Sequence, residues 1–176
     1  VRMADEGTWT EARDPATGET VSTAGDYGYV MGSFDTPNYD CNRLFFNFDT
    51  SSLPATAEIV NISFRVYTIT YGGSDNLTVM NGTQGGSITT ADFDAFVNHS
   101  EDDVVPVDGG FTTFYIENAS IVNVSGTTYL CVRNYYNDYL NNTPSNEIYT
   151  RMYFVGESNA SRRPTLTVDY VSGSPS

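Results

Sequence analysis

The chain has 176 residues, of which 39% are hydrophobic and 14% aromatic, and this is enough apolar material for the core of one domain. It carries 22 acidic and 8 basic residues, which gives a net charge of −14, and every basic residue is an arginine. This acidity argues against nucleic acid and anionic lipid as partners, and the lack of lysine excludes Schiff-base and P-loop lysine chemistry.

The first half of the chain predicts short strands followed by one long one. Residues 1–40 are rich in Gly, Asp, Thr and Ser, which is typical of short strands joined by turns. The first strong strand is predicted over Cys41–Phe48, where Leu, Phe and Phe alternate inward. Pro54 ends this segment because proline cannot donate to a ladder. A long strand is predicted over Glu58–Tyr71, with Ile62, Phe64 and Val66 on one face.

The second half predicts further short strands separated by glycine and polar turns. These strands are Leu77–Met80, Phe111–Ile116, Thr127–Arg133, Ile148–Val155 and Pro164–Val171. Thr89–Phe93 predicts a capped single helical turn. With at most one or two short helical turns, the pattern predicts an all-β sandwich or barrel. We expect a single domain over residues 1–171 and a Ser/Gly/Pro tail or linker start at 172–176.

Acceptor spacing for N-glycosylation is over-represented. The candidates are Asn61, Asn76, Asn81, Asn98, Asn118, Asn123, Asn141 and Asn159. About three such sites would arise by chance at this composition. The excess predicts several covalent N-glycans and an extracellular or cell-surface location. No apolar run reaches the roughly 18 residues needed to span a bilayer, so membrane insertion is not expected.

The two cysteines, Cys41 and Cys131, share a local pattern. Each lies two positions before an arginine, Arg43 or Arg133, and strand periodicity places each cysteine on the same face as its arginine. Two cysteines in an exterior protein usually pair, so we expect a disulfide between them if their strands are neighbours. The alternative is two separate small apolar residues.

The segment Asn-Arg-Leu-Phe-Phe-Asn-Phe-Asp-Thr-Ser-Ser-Leu-Pro over residues 42–54 resembles the signature of the DNRLRE-type domain family. Cys41 and Phe45 depart from that signature. Other similar segments extend the resemblance over nearly the whole chain: 9–18, 57–67, 126–130 and 163–168. The resemblance implies a jelly-roll-like antiparallel β-sandwich, usually an extracellular accessory module, and some members are similar to polysaccharide-binding modules. Such kinship bears on fold more than on function.

No residue is assigned a catalytic role. The single histidine, His99, lies in a polar acidic loop beside Glu101, where a solvated side chain is expected rather than a member of a triad. Carboxylates are so abundant that no pair of them indicates glycoside hydrolysis. We therefore expect a non-enzymatic protein with no cofactor.

Calcium is the only metal that the composition suggests, because it prefers clustered carboxylate and amide oxygens. Its weak candidates are Asp102, Asp103 and Asp138. Their clusters do not match the spacing of an EF-hand loop, and solvated acidic loops are the favoured interpretation. No metal site is therefore assigned.

Tyrosines dominate the loop that follows residue 133. Tyr135, Tyr136 and Tyr139 stand beside amides and a carboxylate, a composition that suits sugar stacking and protein contact about equally. The strand arginines are expected to form bidentate pairs with carboxylates on a sheet face and to serve architecture; they are Arg43, Arg65, Arg133 and Arg151.

These observations lead to one functional hypothesis and its alternatives. The first is a glycosylated extracellular structural subunit that self-associates into a surface layer, fibre or filament through exposed strand edges. The alternative is a carbohydrate-binding module of a larger secreted enzyme or adhesin. A viral tail or spike decoration domain is the third and weakest hypothesis.

Overall fold

The computed structural model of the chain describes residues 1–23, 25–71, 76–97, 103–147, 149–153 and 160–172. Within these ranges eleven strands form two antiparallel sheets. The strands are β1 (Arg2–Glu6), β2 (Tyr27–Asp35), β3 (Asn38–Asn42), β4 (Leu44–Asp49), β5 (Ala57–Tyr71), β6 (Leu77–Gly82), β7 (Phe96–Val97), β8 (Gly110–Tyr115), β9 (Thr127–Asn134), β10 (Tyr149–Tyr153) and β11 (Thr165–Ser172). The helical segments are α1 (Trp9–Arg13), a π-helical turn (Tyr135–Tyr139) and single 3₁₀ turns at Thr90–Asp92, Ala119–Ile121 and Ala160–Arg162.

The larger sheet has seven strands and the smaller has four. In the larger sheet the order is β1-β3-β2-β10-β5, and β8 and β11 both pair with β5. Arg65 of β5 pairs with both Thr113 of β8 and Thr165 of β11, so these two strands lie on opposite sides of β5. The smaller sheet has the order β4-β9-β6-β7. The all-β antiparallel sandwich that the sequence predicted is confirmed.

The main core lies between the sheets and centres on β5. Ile62, Phe64 and Val66 alternate inward, as predicted, and all three are buried. Phe64 packs against Phe46 of β4 and Phe114 of β8, with ring centroids 5.0 and 5.6 Å apart. Aromatic residues from both sheets therefore join the two layers.

A second apolar cluster lies under α1. The Thr8 side chain caps this helix by accepting a hydrogen bond from the Glu11 amide at 3.3 Å. Trp9 and Ala12 are three positions apart and share the buried helix face, where Cys41 is one of their buried neighbours. Trp9 is thus buried in a helix that the sequence analysis did not predict.

One predicted strand is wrong in its extent. The segment predicted as one strand over Cys41–Phe48 is divided at Arg43, where the chain leaves the larger sheet as β3 and enters the smaller sheet as β4. The inward alternation of Leu44 and Phe46 within it is confirmed. The capped turn predicted near Thr89 is also confirmed, since Thr89 and Asp92 form a capping box.

Candidate binding surface

The tyrosine loop predicted for sugar or protein contact forms the π-helical turn after β9. Tyr135 and Tyr139 stack on each other, with centroids 5.5 Å apart and ring planes 22° apart. Tyr136 is the strongly exposed member, with 55% of its surface accessible. The turn therefore brings the three tyrosines together but offers one large exposed ring rather than a platform of three.

Asp138 of this turn is fully buried and binds two arginines. Its Oδ2 accepts from Nε of Arg43 and Nε of Arg133, each at 2.9 Å. Its Oδ1 accepts from Nη2 of the same arginines at 2.8 and 2.7 Å. We call these three residues the arginine–aspartate clamp. The predicted bidentate pairing is confirmed for Arg43 and Arg133.

The clamp joins parts of the fold that are far apart in sequence. Arg43 lies where the chain passes between the sheets, Arg133 lies on β9, and Arg43 Nη2 also donates to the carbonyl of Arg13 at the end of α1 at 2.8 Å. The Phe96 ring lies below both clamp guanidiniums, 5.1 Å from that of Arg43 and 4.4 Å from that of Arg133. The charged groups are thus held by opposite charge and by an aromatic face.

The directions of the pKa shifts of Asp138 and Arg43 are those of an ion pair that stays charged. Burial opposes ionisation of Asp138, but the Arg43 and Arg133 guanidiniums outweigh it and hold the pKa of the carboxyl below its usual range. Burial likewise opposes charge on Arg43, and Asp138 outweighs it and raises the pKa of the guanidinium. The clamp is therefore a fixed architectural element rather than a proton-transfer site.

Asp138, one of the weak calcium candidates, has both of its carboxylate oxygens occupied by arginines. Asp103 is exposed and accepts a hydrogen bond from Asn76, and Asp102 lies outside the described residues. Within the described ranges, no group of three or more His, Cys, Asp and Glu side chains is placed to hold a metal ion.

The predicted disulfide is also wrong, since Cys41 and Cys131 are both buried free thiols. Cys41 lies in the larger sheet opposite Gly32, and Cys131 lies in the smaller sheet opposite Met80, so the two strands are not neighbours. Burial raises the pKa of both thiols, that of Cys131 to about 12. The shared Cys-x-Arg pattern does mark one place in the fold, but there the arginines meet Asp138 and no bond joins the sulfurs.

The glycosylation acceptors are spread over the surface. Asn61, Asn123 and Asn141 are exposed, whereas Asn76, Asn81 and Asn118 are half-buried. The Oδ1 atoms of Asn118 and Asn123 accept from the backbone amides of Ser120 and Ser125 at 2.9 and 3.1 Å. Asn98, Asn159 and the single histidine His99 lie outside the described residues. Glycosylation stays a prediction.

The surface that sequence reasoning missed is the outer face of the larger sheet, which carries a chain of aromatic rings. Successive ring centroids from Tyr149 through Tyr29, Tyr27, Tyr153 and Tyr67 to Phe111 lie between 5.2 and 5.8 Å apart. Arginines lie on these rings: Arg151 is 4.1 Å from the Tyr27 centroid and Arg65 is 3.8 Å from that of Phe111. Arg65 and Arg151 thus contact aromatic faces, a role that the sequence did not predict.

One end of this face forms a groove of about 480 Å³. Its aromatic wall consists of Tyr27, Tyr29 and Tyr149. Its polar lining includes Arg2, Thr20, Ser22, Asp40, Asn42 and Glu147. We call this site the tyrosine groove. A concave site of this size that combines rings with convergent polar groups is typical of small-ligand sites.

A signal for this surface was present in the sequence. Tyr27 and Tyr29 on β2, and Tyr149, Arg151 and Tyr153 on β10, recur at every second position. Period-2 alternation places each set on one sheet face. Only the pairing of β2 with β10 brings the two sets together, with Tyr29 opposite Arg151.

Comparison with known proteins finds no matching family model and no matching curated protein. The resemblance to the DNRLRE-type family therefore stays a prediction. Among the helices that the structure describes, none has the length and apolarity needed to cross a bilayer.

Proposed function

We propose that the chain is a non-enzymatic, glycosylated extracellular structural subunit that self-associates into a layer, fibre or filament. The observation that carries this proposal is the open edge of β11. Within the described ranges this eight-residue strand pairs with β5 on one side and with no strand on the other. An unpaired strand edge is a template for a strand from another copy.

The composition of β11 suits strand addition. Tyr170 and Val171 are 40% and 51% exposed, and the strand contains one charged residue, Asp169. The Asp169 carboxylate accepts a hydrogen bond from Asn61 within the sheet at 3.2 Å. The register shifts between Asp169 and Tyr170, which leaves a regular edge over Thr165–Asp169. The edge thus lacks the lysines and prolines that usually block edge pairing.

Edge strand β1 is covered by a loop of the same chain, because the amide of Arg2 donates to the Thr20 carbonyl at 2.9 Å. Among the described residues β8 also pairs with no strand besides β5, and it has six residues. β11 offers the longer open edge, with eight residues, and this supports β11 as the contact strand.

The exterior location rests on the acceptor asparagines. Asn118 and Asn123 are held through Oδ1, and their Nδ2 atoms, which would carry a glycan, have no acceptor among the described residues. Both lie in the stretch between β8 and β9, away from β11 in the pairing order. Glycans there are compatible with assembly through the β11 edge.

The test is sedimentation velocity and electron microscopy of the full chain with its native glycans, compared with Thr167→Lys. Thr167 is exposed in the regular part of the edge, and an edge lysine opposes strand addition. We expect the unmodified chain to form species much heavier than the 19.3 kDa polypeptide and Thr167→Lys to sediment as a monomer.

Thr10→Lys is the matched control, because Thr10 is an exposed threonine on α1 and the charge change is identical. We expect this variant to assemble normally. A monomeric parent chain at high concentration would contradict self-association. Assembly that survives Thr167→Lys unchanged would overturn the assignment of the contact to β11.

A further inference from the structure

The tyrosine groove is a site that neither the core nor the β11 edge uses. Its floor follows one register row across four strands: Arg2 of β1 pairs with Asn42 of β3, Asn42 with Met31 of β2, and Met31 with Tyr149 of β10. Side chains at paired positions project from the same face of a sheet. The groove therefore rests on regular strands, which position its side chains rigidly.

One polar group in the groove has no partner. Asn42 is 9% exposed, and its Oδ1 is buried without a hydrogen bond among the described residues. Buried amide oxygens are nearly always satisfied in folded proteins, so an orphaned one in the lining of a groove points to a missing donor. A ligand hydroxyl, a ligand amide or a water molecule would supply that donor.

The aromatic wall is already ordered. The rings of Tyr29 and Tyr149 meet edge to face with centroids 5.2 Å apart, and those of Tyr27 and Tyr29 do so at 5.7 Å. Arg151 lies over the ring of Tyr27 at 4.1 Å. Because these contacts fix the rings before any ligand arrives, binding there loses little side-chain entropy.

The net charge of the chain, −14, disfavours an anion in the groove. Asp40 is paired with Arg2 at 3.2 Å, and its other oxygen accepts from the amide of Asp5 at 3.0 Å. Glu147 adds an exposed carboxylate on the rim, while Arg151 lies against the Tyr27 wall. An uncharged ligand that is rich in hydroxyls matches the hydrogen-bonding groups of the groove and is not repelled by the negative potential of the chain.

We propose that the tyrosine groove binds a neutral saccharide. The tyrosine rings would contact the apolar C–H faces of the sugar, while Asn42 and Glu147 would hydrogen-bond its hydroxyls. The groove lies over β1, β2, β3 and β10, and β11 pairs only with β5. Saccharide binding therefore does not depend on self-association.

The test is isothermal titration calorimetry of the full chain against neutral hexasaccharides of glucose, xylose and mannose. A hexauronate and choline serve as anionic and cationic comparators. We expect one or more neutral sugars to bind more tightly than both comparators. We also expect Tyr29→Ala and Tyr149→Ala to weaken that binding by about tenfold or more. The same titrations on Thr167→Lys separate a failure of sugar binding from a failure of assembly.

Tyr136→Ala is the matched control, since Tyr136 is an exposed tyrosine of the π-helical turn outside the groove. It should bind the sugar as the parent does. If the groove tyrosines prove essential for folding, Glu147→Ala removes an exposed groove carboxylate instead and should weaken binding several-fold. The proposal is overturned if no neutral sugar binds at about 10 mM, if either comparator binds more tightly, or if Tyr136→Ala has the larger effect.

Discussion

Replacing Asp138 by asparagine tests whether the arginine–aspartate clamp holds the two sheets together. The substitution keeps the shape of the side chain and removes its charge. The guanidiniums of Arg43 and Arg133 would then remain buried beside a neutral amide, since their side chains are only 2% and 5% exposed. Neither could be neutralised by proton loss, because arginine stays charged in proteins.

The size of the effect follows from this burial. Breaking a buried ion pair by removing one partner costs about 3–5 kcal/mol, because the other charge is left uncompensated. In a domain of this length each kcal/mol shifts the melting temperature by roughly 2–4 °C. We therefore expect Asp138→Asn to lower the melting temperature by roughly 6–20 °C.

Thermal and urea unfolding followed by circular dichroism at pH 7 measure this loss. Asp94→Asn is the control: Asp94 also pairs with Arg43, at 3.3 Å, but its side chain is 57% exposed. An exposed pair contributes about 0–1 kcal/mol. Equal losses from the two variants would refute the conclusion that the clamp stabilises the fold through its buried charges.

The parent chain and Asp138→Asn should also differ in how their unfolding free energy depends on pH. The pKa of Asp138 is lower in the folded chain than the ordinary value of 3.8, so its stabilising effect is complete above that value and declines as the pH falls below it. Asparagine does not titrate. The difference in unfolding free energy between parent and Asp138→Asn should therefore be constant from pH 6 to 8 and shrink in acid; a difference that grew in acid would contradict the assignment.

Three further predictions concern the interior. Because Cys41 and Cys131 are buried with raised pKa values, a thiol reagent at pH 8 should label neither in the native chain and both in urea, as read by mass spectrometry, and rapid native labelling would contradict their burial. Phe64→Ala should cost about 3–5 kcal/mol in urea unfolding, and a cost below about 1 kcal/mol would show that Phe64 is not central to the core. Gly32→Ala should cost about 1–3 kcal/mol, because the added Cβ would lie 2.7 Å from that of Asn137; an unchanged midpoint would refute that close approach.

Sequence periodicity predicted the fold because it reports directly on burial. Along β5, inward Ile62, Phe64 and Val66 alternate with outward residues, and the strand was predicted almost to its observed ends. Periodicity could not reveal the sheet crossing at Arg43. The buried apolar positions change from odd-numbered Cys41 to even-numbered Leu44 and Phe46 across this residue, and only tertiary contacts show that the Arg43 side chain turns to Asp138.

The candidate sites were harder to predict because they depend on strand order. Tyr135, Tyr136 and Tyr139 were conspicuous as neighbours in sequence, yet two of them stack on each other. Tyr29 and Tyr149 are far apart in sequence and meet only because β2 pairs with β10. A pairing between distant strands cannot be read from local composition, so the groove required the structure.

The use of arginine in the fold leads to a prediction about salt. Arg43 and Arg133 are paired with Asp138 inside the molecule. They therefore do little to offset the exposed carboxylates of a chain with a net charge of −14. Two such surfaces repel each other, whereas pairing along β11 is made by neutral backbone groups. The Debye length falls from about 30 Å at 0.01 M salt to about 8 Å at 0.15 M, so added salt screens the repulsion and leaves the backbone pairing intact. We therefore expect the assembled fraction in sedimentation velocity to rise with sodium chloride over this range. A fall with salt would show that ion pairs between copies, rather than the β11 edge, hold the assembly together.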